Sequence, residues 1–339
     1  MAGTAAPYEI VKGLLLGITP PRPLFLPIVF SHAARIENIP LRAFLKNPTK
    51  ISNSLRQLRG RLRSDGVTCY FDPLLEAEAI GGIIDWPGEG SPTFQWPEHM
   101  FSSDATGALV SRGEPASGGR VPLAVDVIGR LKATMRPECL LMASVTGPLT
   151  LAGRLAQLNI ERDLDHPQIP ESAFDFTAAV ITGMAAAFVE AGANAVLIRE
   201  DFLPAMSDDA FADWYVRLAT TINIVRFYQA LPVLVLTREE GVAANRDAIL
   251  RAPWECPICP AFEEKTSATL LSELGPSRFG LALAPHMYAI GAAGVAEFDS
   301  WLKKIVSDAR PAVITTASDL PAAVDIQRLN QLWEDIQRR

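Results

Sequence analysis

Apolar residues in this chain gather in eight short runs spread over nearly its whole length. They are 23–30 (PLFLPIVF), 66–71 (GVTCYF), 139–145 (CLLMASV), 195–199 (AVLIR), 232–237 (PVLVLT), 256–261 (CPICPA), 279–284 (FGLALA) and 312–316 (AVITT). Most are rich in Val, Ile and Leu, and runs of that length that are apolar on both faces read as buried parallel strands. Segments with helical spacing separate most of them, at 121–135, 150–158, 173–191, 208–231, 267–274, 295–308 and 324–338. A basic amphipathic stretch at 41–64 places Leu41, Leu45, Ile51, Leu55, Leu58 and Leu62 near helical spacing. Eight strands alternating with helices predict a single α/β domain, a (β/α)8 TIM barrel. A barrel of this kind carries its chemistry at the carboxyl ends of the strands, so the residues that follow each run are the ones to inspect.

Two segments stand outside that rhythm. Residues 1–22 form an N-terminal arm or first helix that ends in a Pro-rich turn, which leaves 23–339 for the barrel. Residues 81–119 are rich in Gly, Pro and Ser and carry Trp86 and Trp96. They predict a long βα excursion with a small hairpin over the barrel mouth, the kind of segment that often serves as a lid. Residues 162–172 (RDLDHPQIPES) read as a loop.

Composition narrows the function classes. The chain has 339 residues, which one barrel of about 250 residues plus insertions accounts for. Its net charge of −7 argues against a nucleic-acid partner, and Arg56, Arg59, Arg61 and Arg63 read as a solvated helix face. The apolar runs fall short of the roughly 20 residues that span a bilayer, so no membrane partner is expected. The N-terminus has one Lys and a short apolar run and does not read as a signal peptide. Four cysteines do not make a disulfide framework in a chain of this length, and the cytoplasm is the expected compartment. Cys256 and Cys259 supply two of the four ligands zinc needs, and on a strand they point to opposite faces, so they read as buried thiols.

The expected strand ends are rich in ionisable groups. His32 and Arg35 follow the first run, Asp72 the second, and Thr146-Gly147-Pro148 with Arg154 the third. Glu200 and Asp201 follow the fourth, Arg238, Glu239 and Glu240 the fifth, and Cys259, Glu263 and Glu264 close the sixth. His286 follows the seventh, and Ser318 and Asp319 the eighth. A mouth carrying Arg, His and carboxylates suits a polar substrate and proton transfer. Asp72, directly after a strongly apolar strand and before Pro73, is the sharpest candidate. It reads equally as a desolvated catalytic carboxylate or as the N-terminal cap of the next helix. The Thr146–Thr150 segment (TGPLT) lacks the Lys and glycine spacing of a phosphate loop and reads as a tight turn and helix start.

Four segments together resemble the uroporphyrinogen decarboxylase superfamily, which also includes corrinoid-linked methyltransferases. They are YFDPLLEAEAIGG, VTGPLTLAG, EAGANAVLIREDF and ITTASDLPAAVDIQRLNQLW, in the family's order and spanning about residues 20–332. In the decarboxylases, the resemblance implies, the Asp at the matching position contacts pyrrole nitrogens and stabilises developing positive charge; Asp72 occupies it. Arg35 matches the second arginine of the family's segment after strand one, and His32 sits near the first. Arg154 stands where the decarboxylases have a Tyr, and the last loop lacks their His. In the methyltransferase branch zinc is held by His-x-Cys-Gly after strand five and by a Cys after strand eight. Here those places hold Arg238-Glu239-Glu240-Gly241 and Ser318, so neither metal nor cofactor is expected.

The resemblance therefore implies a metal-independent, decarboxylase-like lyase acting on a tetrapyrrole or another carboxylate-bearing small molecule. Asp72, His32 and Glu240 are its candidate catalytic groups. Arg35, Arg154, Thr146, Gly147, Arg238 and Ser318 are its candidate substrate contacts. The alternatives are O- or N-demethylating methyl transfer with a corrinoid protein as partner, and a non-catalytic tetrapyrrole-binding homologue. The family resemblance also implies a homodimer.

Overall fold

The structure is a computed structural model that describes residues 5–86, 92–97, 117–158, 169–262, 273, 275–284, 292–320 and 324–337. Its strands are β1 Leu24–Leu26, β2 Gly66–Tyr70, β3 Ile83–Asp85, β4 Thr93–Gln95, β5 Leu140–Thr146, β6 Ala195–Glu200, β7 Leu231–Leu236, β8 Ile258–Phe262, β9 Gly280–Leu283 and β10 Val313–Thr316. Eight of them form one parallel sheet in the order β1–β10–β9–β8–β7–β6–β5–β2, nearly closed on itself, with helices between the strands. This is the (β/α)8 barrel that the eight apolar runs predict, and every run overlaps one of its strands.

The apolar residues divide into two layers because successive side chains on a strand point to opposite faces. Leu24, Leu26, Leu140, Met142, Ala195, Leu197, Val233, Val235, Cys259 and Val313 fill the barrel interior. Val196, Ile198, Leu234, Leu236, Leu281 and Ile314 face outward onto the helices. The cysteine pair obeys the same rule, with Cys259 inside and Cys256 in the outer layer. The helix Pro7–Leu15 in the N-terminal segment places Ile10, Val11 and Leu14 in the interior layer, beside residues that begin the strands, and so covers the amino ends of the barrel.

The seam between β1 and β2 is closed by one residue. Asp65, just before β2, donates its N–H to the Phe25 carbonyl (3.0 Å) and accepts the Leu140 N–H at its own carbonyl (2.9 Å). Its carboxylate accepts the Phe25 N–H (2.8 Å) and two guanidinium bonds from Arg22 (2.7 and 2.9 Å). Asp65 thus replaces the missing ladder between the two edge strands, and the paired side chains are 7% (Arg22) and 2% (Asp65) exposed.

Helix boundaries differ from the sequence expectation, most clearly in two places. The basic stretch at 41–64 is two helices, Leu41–Phe44 and Pro48–Arg61. Pro48 cannot continue a helix and instead begins one, while the Asn47 side chain accepts the Lys50 N–H. The helix expected at 208–231 ends at Phe227, and Gln229 takes a left-handed φ of 60° before β7 starts at Leu231. The helix Glu171–Ala191 is long and apolar enough to cross a membrane by length and composition, a signal the run lengths alone did not reveal. Here it packs on the barrel through Val180, Ile181, Met184 and Phe188.

The excursion after β2 contains the expected hairpin, with β3 and β4 antiparallel. Its two ends are pinned together: a Cβ at Gly118 would collide with the Ala79 carbonyl, so only glycine lets the returning chain lie against that backbone. The helix expected at 267–274 and the residues Glu263, Glu264 and His286 lie outside the described residues, apart from Glu273.

Replacing Asp65 by Ala leaves Arg22 buried without its partner and removes a bond across the seam. We expect a loss of about 3–5 kcal/mol of stability, read from urea denaturation of the variant beside the parent.

Candidate functional site

The carboxyl ends of the strands carry two linked polar systems. The first faces the barrel axis. Ala195 and Leu197 point inward, so Arg199, two residues further along β6, does the same. Its Nε donates to the Ala317 carbonyl after β10 (3.1 Å), and its guanidinium stacks on the Phe71 ring after β2 (4.9 Å). β2 stands two places from β6 in the sheet and β10 four, on the opposite wall, so Arg199 reaches across the mouth. Its Nη2 also donates to Asp201 Oδ1 (2.8 Å). Asp201 Oδ1 accepts the Thr237 hydroxyl (3.1 Å), and Oδ2 accepts Arg154 Nη2 (3.3 Å). Arg154 Nη1 donates to the Pro73 carbonyl (2.6 Å), and its own carbonyl accepts the Trp96 indole N–H (2.8 Å) from the base of the hairpin. Two guanidinium groups therefore share one carboxylate, and this set, among the described residues, carries one net positive charge.

The second system holds the turn after β5 from both sides. Glu76 accepts the Thr146 N–H and hydroxyl (both 2.8 Å). Glu200, on the outward face of β6, accepts the Leu149 N–H (3.1 Å), the Thr150 N–H (2.8 Å), the Thr150 hydroxyl (2.6 Å) and the Trp214 indole N–H (3.0 Å). Gly147 has to be glycine here, because a Cβ would fall on the Glu200 carboxylate. Both glutamates are 1% exposed. Burial pushes the Glu76 carboxyl up, against the lowering effect of its Thr146 bonds. Burial also drives Glu200 up to about 7, against the donors that surround it. The amides of Thr146, Gly147, Leu149 and Thr150 are all spent inside the protein, which excludes a phosphate cradle and agrees with the tight-turn reading.

Asp72 takes a different course. The register of β2 against β5 shifts between Thr68 and Tyr70, so Cys69 and Tyr70 both face the outer layer. Asp72, in phase with Tyr70, meets Arg120: Oδ2 lies 2.7 Å from Nη2, and the side chains are 2% (Asp72) and 9% (Arg120) exposed. Arg120 also bonds Glu78 (2.6 Å) and the Tyr70 hydroxyl (3.3 Å) and lies over the Trp86 ring. Asp72 Oδ1 accepts the Leu74 N–H (2.9 Å), which closes a turn ahead of the helix Leu75–Ala79; the N-cap position is Leu74, so Asp72 is not the cap of that helix.

The remaining candidates scatter. His32 is buried, with Nε2 3.1 Å from the Val324 carbonyl. Arg35 and Glu240 are exposed, and Arg238 and Ser318 are half-buried. Asp319 accepts the Phe30 and Ser31 amides (2.7 and 3.0 Å) and ties the β10 loop to the helix Ser31–Ile36. Of the expected set, the structure unites Arg154, Thr146 and Gly147. Arg199, Glu76 and Arg120 are not among the sequence candidates, and Asp201 and Glu200 stand there only as strand-end residues. The signal for Arg199 was present in the sequence: a lone charge in phase with the inward-facing residues of an apolar run.

The donor set does not fit a thiolate-bound zinc. The places that the family resemblance gives to the methyltransferase ligands hold Arg238, Glu240 and Ser318, and Cys259 is buried inside the barrel. No group of three or more His, Cys, Asp or Glu side chains suited to a metal ion occurs among the described residues.

Comparison with known proteins agrees with the fold. Residues 14–243 match a family model described as uroporphyrinogen decarboxylase (URO-D). A methyltransferase from Methanosarcina mazei shares the fold with a TM-score of 0.76 at 15% identity, over 98% of each chain. A B12-independent methionine synthase from Shewanella sp. W3-18-1, solved with selenomethionine, gives a TM-score of 0.55 at 11% identity over 88% of this chain and 89% of that one. No curated protein matches.

The raised Glu200 carboxyl has a measurable consequence. A folded-state value above the unfolded one means that the native protein binds the extra proton between about 4.5 and 7, so this contribution to stability is present at low pH and is lost as pH rises through about 7. In Glu200→Gln the stability difference from the parent should vary across that window by up to about 1.4 kcal/mol per pH unit. Chemical denaturation at a series of pH values checks the slope.

Proposed function

Because this chain belongs to the uroporphyrinogen decarboxylase (URO-D) family, whose wider superfamily holds decarboxylases and methyltransferases, we propose that it is an enzyme acting on a carboxylate-bearing small molecule at the barrel mouth. The observation that carries this reading is the Arg199–Asp201–Arg154 set, two guanidinium groups against one carboxylate. Guanidinium forks match carboxylates in shape and charge. The surplus positive charge sits where a barrel of this kind binds its substrate. The chemistry favoured is decarboxylase-like: the bond to a substrate carboxyl breaks, carbon dioxide leaves, and the electron pair left on carbon takes a proton. The Arg, Glu and Ser residues at the methyltransferase zinc positions support metal-free lyase chemistry over zinc-activated thiol transfer. For Asp72 to meet substrate in the manner the family resemblance implies, it must first give up Arg120.

A second reading, O- or N-demethylating methyl transfer with a corrinoid protein as partner, draws on the methyltransferase from Methanosarcina mazei as a fold relative. In either reading the working unit is a homodimer in the cytoplasm.

Calorimetric titration with a porphyrin polycarboxylate probes the mouth directly. Arg199→Ala should weaken binding by about ten- to a hundredfold, the worth of a charge-assisted hydrogen-bond pair, with circular dichroism unchanged. Equal binding by the variant and the parent removes Arg199 from the site. Carbon dioxide release without metal, or methyl transfer to cobalamin in its place, then decides between the two chemistries.

A further inference from the structure

Thr150 joins the two polar systems at the rim. Its hydroxyl donates its single proton to Glu200 Oε2 (2.6 Å) and accepts the amides of Asp201 (2.8 Å) and Phe202 (3.0 Å). A hydroxyl has one donor and two acceptor positions, so this group is saturated. We propose that Glu200 and Thr150 form a positioning relay that sets the Arg199–Asp201–Arg154 geometry according to the protonation state of Glu200.

Glu200 meets only donors: the Leu149 and Thr150 amides, the Thr150 hydroxyl and the Trp214 indole. The ionised carboxylate satisfies all four. A proton added to it points at a donor, and the oxygen closest to it belongs to Thr150. To accept that proton, Thr150 must turn its own hydrogen away and release the Asp201 or Phe202 amide. Asp201 is where the two guanidinium groups meet, so a shift of its backbone moves the contacts to Arg199 (2.8 Å) and Arg154 (3.3 Å) together. The groups facing Glu200 from the packed elements are Gly147, Leu149 and Thr150 from the turn after β5 and Trp214 from the helix Asp208–Phe227, all uncharged. The neighbouring charges, Arg199 and Asp201, are bonded to one another at the mouth. Burial that carries Glu200 up to about 7 places the transition near neutrality. Glu200 and Thr150 are thus positioning residues, and the functional consequence rests on the carboxylate-binding reading of the mouth.

Amide hydrogen exchange measured by nuclear magnetic resonance tests the relay without a substrate. After correction for intrinsic exchange, protection at Asp201 and Phe202 should fall about tenfold between about pH 8 and about pH 6, and the Arg199 Nε–H should lose protection in step. Thr150→Ser keeps the hydroxyl and should keep this profile. Thr150→Val should show low protection at every pH, and Glu200→Gln should remove the pH dependence. A flat profile in the parent protein, or an unaltered one in Glu200→Gln, overturns the relay. If Thr150→Val does not fold, the Ser and Gln variants still decide it. Loss of the carboxylate-binding reading, by contrast, appears only in the calorimetric titration and leaves the exchange profiles as they are.

Discussion

Asp65 is the constraint on which the barrel depends. An open parallel sheet leaves two edges with unpaired backbone groups, and a barrel is stable because closure removes them. In this chain β1 is three residues long and makes no ladder with β2. One aspartate supplies the bonds that a ladder would have made, held in place by the Arg22 guanidinium. A buried ion pair of this kind is a poor source of net stability, but breaking it is expensive. Its value lies in registration. With the seam fixed, the carboxyl ends of β2, β6 and β10 stand where Phe71, Arg199 and Ala317 can meet.

The rim is then organised by carboxylates whose oxygens are taken up by backbone amides. Glu76 and Glu200 use up the amides of the turn after β5, and Asp319 does the same for the helix that follows β1. Each is a long-range bond replacing a local cap, so loops of irregular shape are held to the barrel wall. The rigidity this gives is what pre-organised recognition requires, since side chains that are already fixed lose little entropy on binding.

The fold was legible in the sequence because burial on both faces imposes an unbroken apolar run, and eight such runs have few ways to pack. The excursion and its hairpin were legible for the opposite reason, being a Gly- and Pro-rich interruption of that rhythm. The site was only partly legible. Arg154, Thr146 and Gly147 lie in one short segment whose turn chemistry is local. Arg199 was concealed inside an apolar run, where hydropathy reads it as the end of a strand. The partnership of Asp72 with Arg120 depends on a one-residue register shift in β2, which no periodicity displays. Arg35 was expected at the mouth from strand order and the family resemblance, and Glu240 from strand order; both are exposed residues of short helices.

The glycine contact at the root of the excursion has an evolutionary corollary. Because Gly118 returns against Ala79, the inserted segment departs and re-enters the barrel at one spot. Lengthening a segment tethered in this manner adds closure entropy that grows only slowly with length, and replacing it exchanges the contacts that Trp86 and Trp96 make with Arg120 and Arg154. Descendants of this scaffold can therefore trade that cassette for another and acquire new ligand preferences while the strands beneath stay untouched.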